Sequence, residues 1–587
     1  MRSVIIENIR SKFHDFVDFL NELEKINHTI FANKDMSSAK SYKLLVDGFT
    51  NRLKGLFFLL NLNYSSEDKL ITMNYQNCDG VNILLRGAIE SVVVMRILLE
   101  RNEDYLYESF FNQAELDKND IVSKFNGTSR FFSKFSNGDL LAYNRYEWIK
   151  PILDKKVITL DDLIGLTDYD EERKAYYKSE VLHNNNLSHP ILKNDSIILD
   201  GMFGSGNVNE IIYFFEVISN LSYDLMRNIV EFDQIILEGL NFRTIAHIKC
   251  LPSLNHLEEI TGNKKIDKCE LHEESKSLLA IREKNYDTKV SHADNIQSWI
   301  LFYLMSIKAI QEDKPRLFKT LDKYMESLML NMQELVISYE NKMSYIFFAK
   351  LRYVLELIAT IDILTTFDEH EMEVYQAHTD VLRYSAWSKI PKIMKERLRD
   401  AGMMNEDPSK VKIEYDGKET TVFHLYLKNL DFLKKHYKDR YNLDISKGQV
   451  KHVNGWAINI VGTSNKAPSN LAIILSFIEN NADKFSEKTD KVNDYFSGLY
   501  TLICSYCHST AFASIEVSDD NDSLYIEEAY YYLIKVFDVL MKNIESRFEE
   551  VSKMKKHMSQ SDKLDKTNTL EYSIAQILKK LEDKVII

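Results

Sequence analysis

The chain is poor in residues that break helices, with 18 Gly and 7 Pro among 587 residues. So few breakers exclude a sheet-rich fold with many tight turns and favour long helices. It holds only five cysteines, Cys78, Cys250, Cys269, Cys504 and Cys507, an odd and sparse set that excludes a disulfide framework. No apolar run reaches the roughly 18 residues that a membrane span needs, so no contact with a membrane is expected. An excess of positive charge is absent as well. The net charge is −14, with 74 Lys and Arg against 88 Asp and Glu. A protein devoted to gripping duplex DNA would show the opposite balance, because phosphate neutralisation dominates that affinity. The first residues, MRSVIIENIRSKFHDF, lack an apolar core of signal-peptide length, which makes the cytoplasm the expected location.

What is present is globular: 45% hydrophobic and 28% charged residues, in a chain too long for one small domain. Apolar periodicity predicts helices over about 41–62, 81–100, 208–240, 316–339, 342–366, 371–390, 469–482, 492–505 and 526–553. The segment around 81–100 is apolar on most sides and should sit centrally, and the one around 342–366 is strongly apolar as well. One stretch reads differently. Residues 411–423 alternate as VKIEY and KETTVF around Asp416-Gly417, a two-residue hairpin signal. The expected fold is therefore all-α, with a small β-hairpin near 411–423.

Landmarks recur in the same order in both halves. Each half has Arg-x-x-x-Glu in an apolar helix, Arg86/Glu90 and Arg352/Glu356. Each then has a helix with a small polar residue, three residues, and His: Ser179 to His183, and Cys504 to His508. Each closes on a tyrosine-bearing helix, with Leu225-Met-Arg-Asn-Ile229 matching Leu540-Met-Lys-Asn-Ile544. Tyr107 and Tyr375 follow their arginines at similar distances. This order predicts two tandem divergent helical-bundle modules. They are 1–242 and 294–552, with a linker over 243–293 and an amphipathic helix over 553–587.

Charges inside an apolar helix are costly unless paired and hydrogen-bonded. Each Arg–Glu pair should thus meet a polar partner, for which the histidine of the same half is the expected one. Arg86, Glu90 and His183, and Arg352, Glu356 and His508, form the two candidate catalytic sets. Arg suits bidentate phosphate binding, while Glu and His suit proton transfer. A buried structural network uses the same residues. No cofactor or metal is indicated. Cys504-Ser-Tyr-Cys507-His508 matches a haem-attachment pattern, but that chemistry belongs to exported proteins, and zinc would need further ligands. Gly201, Gly204 and Gly206 lack the Gly-Lys-Ser/Thr ending of a phosphate loop.

On these residues the chain resembles a family of bacterial all-helical domains of unknown function that carry an Arg-x-x-x-Glu helix and a later Tyr…Ser-x-x-x-His segment. The resemblance falls on Arg86, Glu90, Tyr176 or Tyr177, Ser179 and His183, and again on Arg352, Glu356, Tyr500, Cys504 and His508. Cys504 departs from the serine of the pattern. The resemblance implies a setting in abortive infection or phage defence. HEPN ribonucleases are a different case: Arg243 and His247 are one residue too close for their motif. Two functions follow as expectations. One is a defence or stress effector acting on nucleic acid or a nucleotide. The other is a non-catalytic helical scaffold that binds a protein partner or another copy of itself.

Overall fold

A computed structural model describes residues 37–60, 62–65, 70–73, 80–125, 145–187, 189–190, 208–232, 308–340, 342–388, 410–415, 417–442, 450–461, 467–468, 471–481, 493–508, 512–513, 522–549 and 551–553, with a few isolated positions besides. The expected linker over 243–293, the glycine loop at 201–206 and the helix after residue 553 lie outside the described residues.

The described chain is all-α with two small antiparallel hairpins. The first half contributes α1 (Ser37–Leu60), α2 (Val81–Arg101), α3 (Asp104–Phe125), α4 (Leu160–Leu166), α5 (Glu171–Leu187) and α6 (Val208–Phe232). The second contributes α7 (Pro315–Glu340), α8 (Ser344–Leu364), α9 (Glu369–Ser388), α10 (Val422–Tyr441), α11 (Leu471–Asn480), α12 (Asn493–Cys507) and α13 (Asp522–Arg547). The expected hairpin is present as β3 (Lys412–Tyr415) and β4 (Lys418–Thr421). Its two-residue turn places Gly417 at φ 70°, a left-handed conformation that a side chain would resist. Thr421 then caps α10, its hydroxyl accepting from the His424 amide at 3.1 Å. A second hairpin, β1 (Leu62–Ser65) with β2 (Leu70–Met73), follows α1. Its short strands carry no strict alternation, so the sequence pattern did not signal it.

The helix over 81–101 is central as expected, and so is that over 344–364. Every residue of α8 is buried, and 17 residues of α2 are. The helix α2 packs against α1, α5 and α6, while α8 packs against α7, α12 and α13. The halves also interleave. α8 touches α1 and α2, α12 of the second half lies along α3 of the first, and α5 of the first reaches α9 of the second. One continuous hydrophobic core therefore runs through both. Among the described residues no helix is long and apolar enough to cross a membrane.

Two further correspondences appear only in three dimensions. In the first half the hydroxyls of Tyr42 and Tyr107 meet at 3.3 Å; in the second, those of Tyr324 and Tyr375 meet at 2.6 Å. Ten residues beyond each arginine of the Arg-x-x-x-Glu pairs lies a charge bound to the closing helix, with its sign reversed between halves. Arg96 bonds Asn228 and Glu231 on α6, and Asp168 at 2.5 Å. Asp362 accepts from Asn543 at 2.9 Å and from Arg547 at 2.8 Å on α13. Asn228 and Asn543 hold the same place in the matching Leu-Met-Arg/Lys-Asn-Ile segments.

Arg547 and Asp362 are both nearly sealed from solvent. Removing one partner of such a pair leaves the other charged and desolvated. Asp362→Ala is expected to destabilise the protein by about 3–5 kcal/mol, read as a lower urea midpoint.

Candidate functional site

Helix α2 places Arg86 and Glu90 one turn apart on one face. Glu90 is fully buried. Its Oε1 accepts from the Tyr146 hydroxyl at 2.8 Å, and its Oε2 pairs with Nδ1 of His508 at 2.9 Å. Nε2 of His508 faces Nη1 of Arg86 at 3.5 Å. The histidine that serves the first-half carboxylate thus comes from the second half. The expectation that His508 would pair with Arg352 and Glu356 is corrected. Its helix, α12, crosses onto α3, and its C-terminal end arrives beside α2 instead.

Two features hold that end in place. Arg52 of α1, itself buried, donates from Nη2 to the carbonyls of His508 at 2.6 Å and Tyr506 at 3.3 Å, and lies 4.6 Å from the centre of the Tyr345 ring. It so satisfies carbonyls that the end of a helix leaves without partners and offsets the negative end of the helix dipole. The approach is close because position 87 is glycine. A Cβ there would stand 2.4 Å from Nε of Arg52 and 2.7 Å from the Cys507 carbonyl oxygen.

Burial alone would raise the carboxyl of Glu90. The imidazole of His508 and the guanidinium groups of Arg145 and Arg86 outweigh it, and the group sits at about 2. For His508, burial and the neighbouring Arg145 and Arg86 push the imidazole well below its ordinary value. The consistent state is an ionised Glu90 and a neutral His508 that donates from Nδ1 and turns its lone pair to Arg86. The carboxylate of Glu90 and both ring nitrogens of His508 are engaged within this cluster, while Nε and Nη2 of Arg86 have no hydrogen-bond partner among the described residues.

Helix α8 presents Arg352 and Glu356 in the same way, again with an imidazole from the other half. Nδ1 of His189, just beyond the end of α5, meets Oε2 of Glu356 at 2.7 Å. The Tyr500 hydroxyl donates to Oε1 at 3.2 Å, where Nε of Arg352 also approaches, at 3.5 Å. Burial would raise Glu356, but His189, Arg352 and Tyr500 hold it below its ordinary value. This cluster opens on a cavity of about 260 Å³. Its lining includes His189, Arg352, Glu356, Tyr500, His452 and Trp456. The terminal nitrogens of Arg352 make no hydrogen bond among the described residues, and neither does Nε2 of His189.

The structure therefore brings together Arg86, Glu90 and His508 in one place and Arg352 and Glu356 in another. His183 lies in α5, and its side chain is outside the described residues. Tyr177 and Tyr176, which the resemblance assigns to the first site, face α6 instead: the Tyr177 hydroxyl bonds Asp224, and Tyr176 accepts from Asn220 at 3.3 Å. Cys507 is buried, its thiol reaching the Phe348 carbonyl at 3.7 Å and pushed up to about 12 by burial, which suits packing rather than reactivity. Sequence reasoning missed Tyr146, Arg52, His189 and His452. His189, before Pro190, is by sequence a loop histidine without ligand spacing and carries no signal. Comparison with protein families, curated proteins and solved structures finds no match for the chain.

Two outcomes follow from the sealed cluster. Gly87→Ala is expected to cost about 1–3 kcal/mol, because a backbone carbonyl and a buried guanidinium must both retreat; the urea midpoint relative to wild type measures it. The second concerns acid. Both Glu90 and His508 have folded values below their unfolded ones, so the unfolded chain takes up protons first and stability is lost as pH falls. The loss begins below about 6.5 for His508 and below about 4.5 for Glu90. His378 and His436 are depressed too and add to the same window. His508→Asn should flatten the slope of stability between roughly pH 4.5 and 6.5 while leaving the steeper loss below it.

Proposed function

We propose that the cavity over Glu356 is the active site of an enzyme that binds a phosphate group of a nucleotide or nucleic acid and transfers a proton through His189. The observation that carries this reading is the end of Arg352, whose terminal nitrogens make no hydrogen bond among the described residues. A buried guanidinium held 5.9 Å over the Tyr500 ring, with those N–H groups left for a ligand of the cavity it lines, is arranged for a bidentate oxyanion. A cavity of about 260 Å³ admits a small ligand or a strand end rather than a duplex, which agrees with the acidic whole.

The proton path follows from the hydrogen bonds. Ionised Glu356 accepts from Nδ1 of His189 and fixes the tautomer whose Nε2 lone pair is available. Nε2 takes a proton from a water or hydroxyl held beside the phosphate on Arg352. The freed oxygen bonds phosphorus, the bond to the leaving oxygen breaks, and His189 returns the proton to that oxygen. Tyr500 keeps the second oxygen of Glu356 engaged, so the carboxylate does not swing away.

The cluster at Glu90 contains the same residue types with its carboxylate and both imidazole nitrogens engaged within the protein, and we read it as a brace between the halves. The paired tyrosines, the sign-reversed charges at Arg96 and Asp362, and the exchange of histidines support descent of both halves from one duplicated module. A role as a bacterial defence or stress effector rests on the family resemblance.

The test is a set of single substitutions in the full chain, assayed for release of phosphate or nucleoside from a nucleotide and oligonucleotide panel and for toxicity in a bacterial host. Arg352→Ala and His189→Ala are expected to lower turnover by about 10²–10⁴-fold while the protein stays folded. Arg86→Ala should act on stability instead. Full activity in folded Arg352→Ala would end the proposal.

A further inference from the structure

Part of the cavity wall is built by a turn at 451–457 that no sequence motif marks. Within it the Asn454 amide donates to Nδ1 of His452 at 3.2 Å, and the Asn454 side chain is tied to the Pro468 carbonyl at 3.1 Å. The His452 carbonyl accepts from the Gly455 amide at 2.9 Å, so the turn is closed on both sides of the ring. An Nδ1 that accepts must lack a proton, and a neutral imidazole then carries its hydrogen on Nε2. His452 lines the cavity, and its Nε2 makes no hydrogen bond among the described residues.

Resting on the reading of the cavity as a phosphate site, we propose that His452 is a further catalytic residue, whose Nε2–H donates a hydrogen bond to a phosphoryl oxygen held on its other side by Arg352. The two histidines then have opposite tautomers imposed by opposite partners. Glu356 accepts a hydrogen bond from Nδ1–H of His189 and leaves that ring a lone pair on Nε2. The backbone amide of Asn454 fills Nδ1 of His452 and leaves that ring a donor. Burial and the neighbouring His189 hold His452 below its ordinary value, which keeps it neutral at pH 7 and preserves this division. His452 keeps its proton throughout. The water proton goes to His189, the water oxygen bonds phosphorus, the leaving oxygen departs with its electron pair and receives the proton from His189. The His452 N–H offsets the charge that gathers on the phosphoryl oxygen, as a preorganised donor does in an oxyanion hole.

Calorimetric titration of the full-length protein with inorganic phosphate tests this apart from turnover. Wild type should bind, and Arg352→Ala should lose binding. His452→Ala should weaken it by about 10-fold or more, the effect of removing a hydrogen bond to a charged group. His452→Gln, whose side-chain amide offers a donor at a similar reach, should stay within about 3-fold of wild type. Thermal melts of each variant separate loss of the donor from loss of fold. If Arg352→Ala loses binding while folded His452→Ala binds as wild type does, the role of His452 is overturned and the phosphate site stands. If wild type does not bind, or binds regardless of Arg352, both are overturned.

Discussion

Glu90 and Glu356 lie almost without exposure inside the two most apolar helices of the chain, and an ionised carboxylate in such a place must be hydrogen-bonded or lose its charge. Each accepts from a tyrosine and pairs with an imidazole, and each imidazole arrives from the opposite half. That exchange constrains much else. The end of α12 must reach α2, which requires glycine at position 87 and Arg52 to receive the exposed carbonyls. The end of α5 must reach α8. With both crossings in place, the halves cannot separate without stripping two buried carboxylates of their partners.

The two clusters place one set of residue types in two settings. Around Glu90 the tyrosine, the histidine and the arginine are turned on one another, and the helix end of α12 closes over them. Around Glu356 the histidine sits beyond its helix on a short connection, and the turn at 451–457 stands back far enough to leave a cavity. The two differ in their contacts rather than in composition. A saturated network contributes rigidity, whereas an arginine fork and an imidazole nitrogen left open to a cavity can act on a ligand.

Most of the fold could be read from the chain. The long helices, the centrality of α2, the apolar character of α8 and the hairpin around Asp416-Gly417 all follow from apolar periodicity, scarce breakers and one turn signal. The hairpin after α1 was not visible, since four-residue strands without alternation fall below what periodicity detects. Of the site, Arg86, Glu90, Arg352 and Glu356 were legible because charge in an apolar helix demands a partner, while His508 was singled out by its repeat position but assigned to the wrong carboxylate. Tyr146, His189 and His452 were not, because a side chain in a loop has no period to betray its direction.

The sequence by itself determined the helical class, the two apolar helices and the need for polar partners within them, since each follows from local spacing and the cost of burying charge. Which histidine met which carboxylate, and which of the two clusters stayed open, was decided only by the tertiary structure. Both depend on how helices from distant parts of the chain cross. A crossing is fixed by packing over the whole core, as at Gly87, and not by the residues that it brings together.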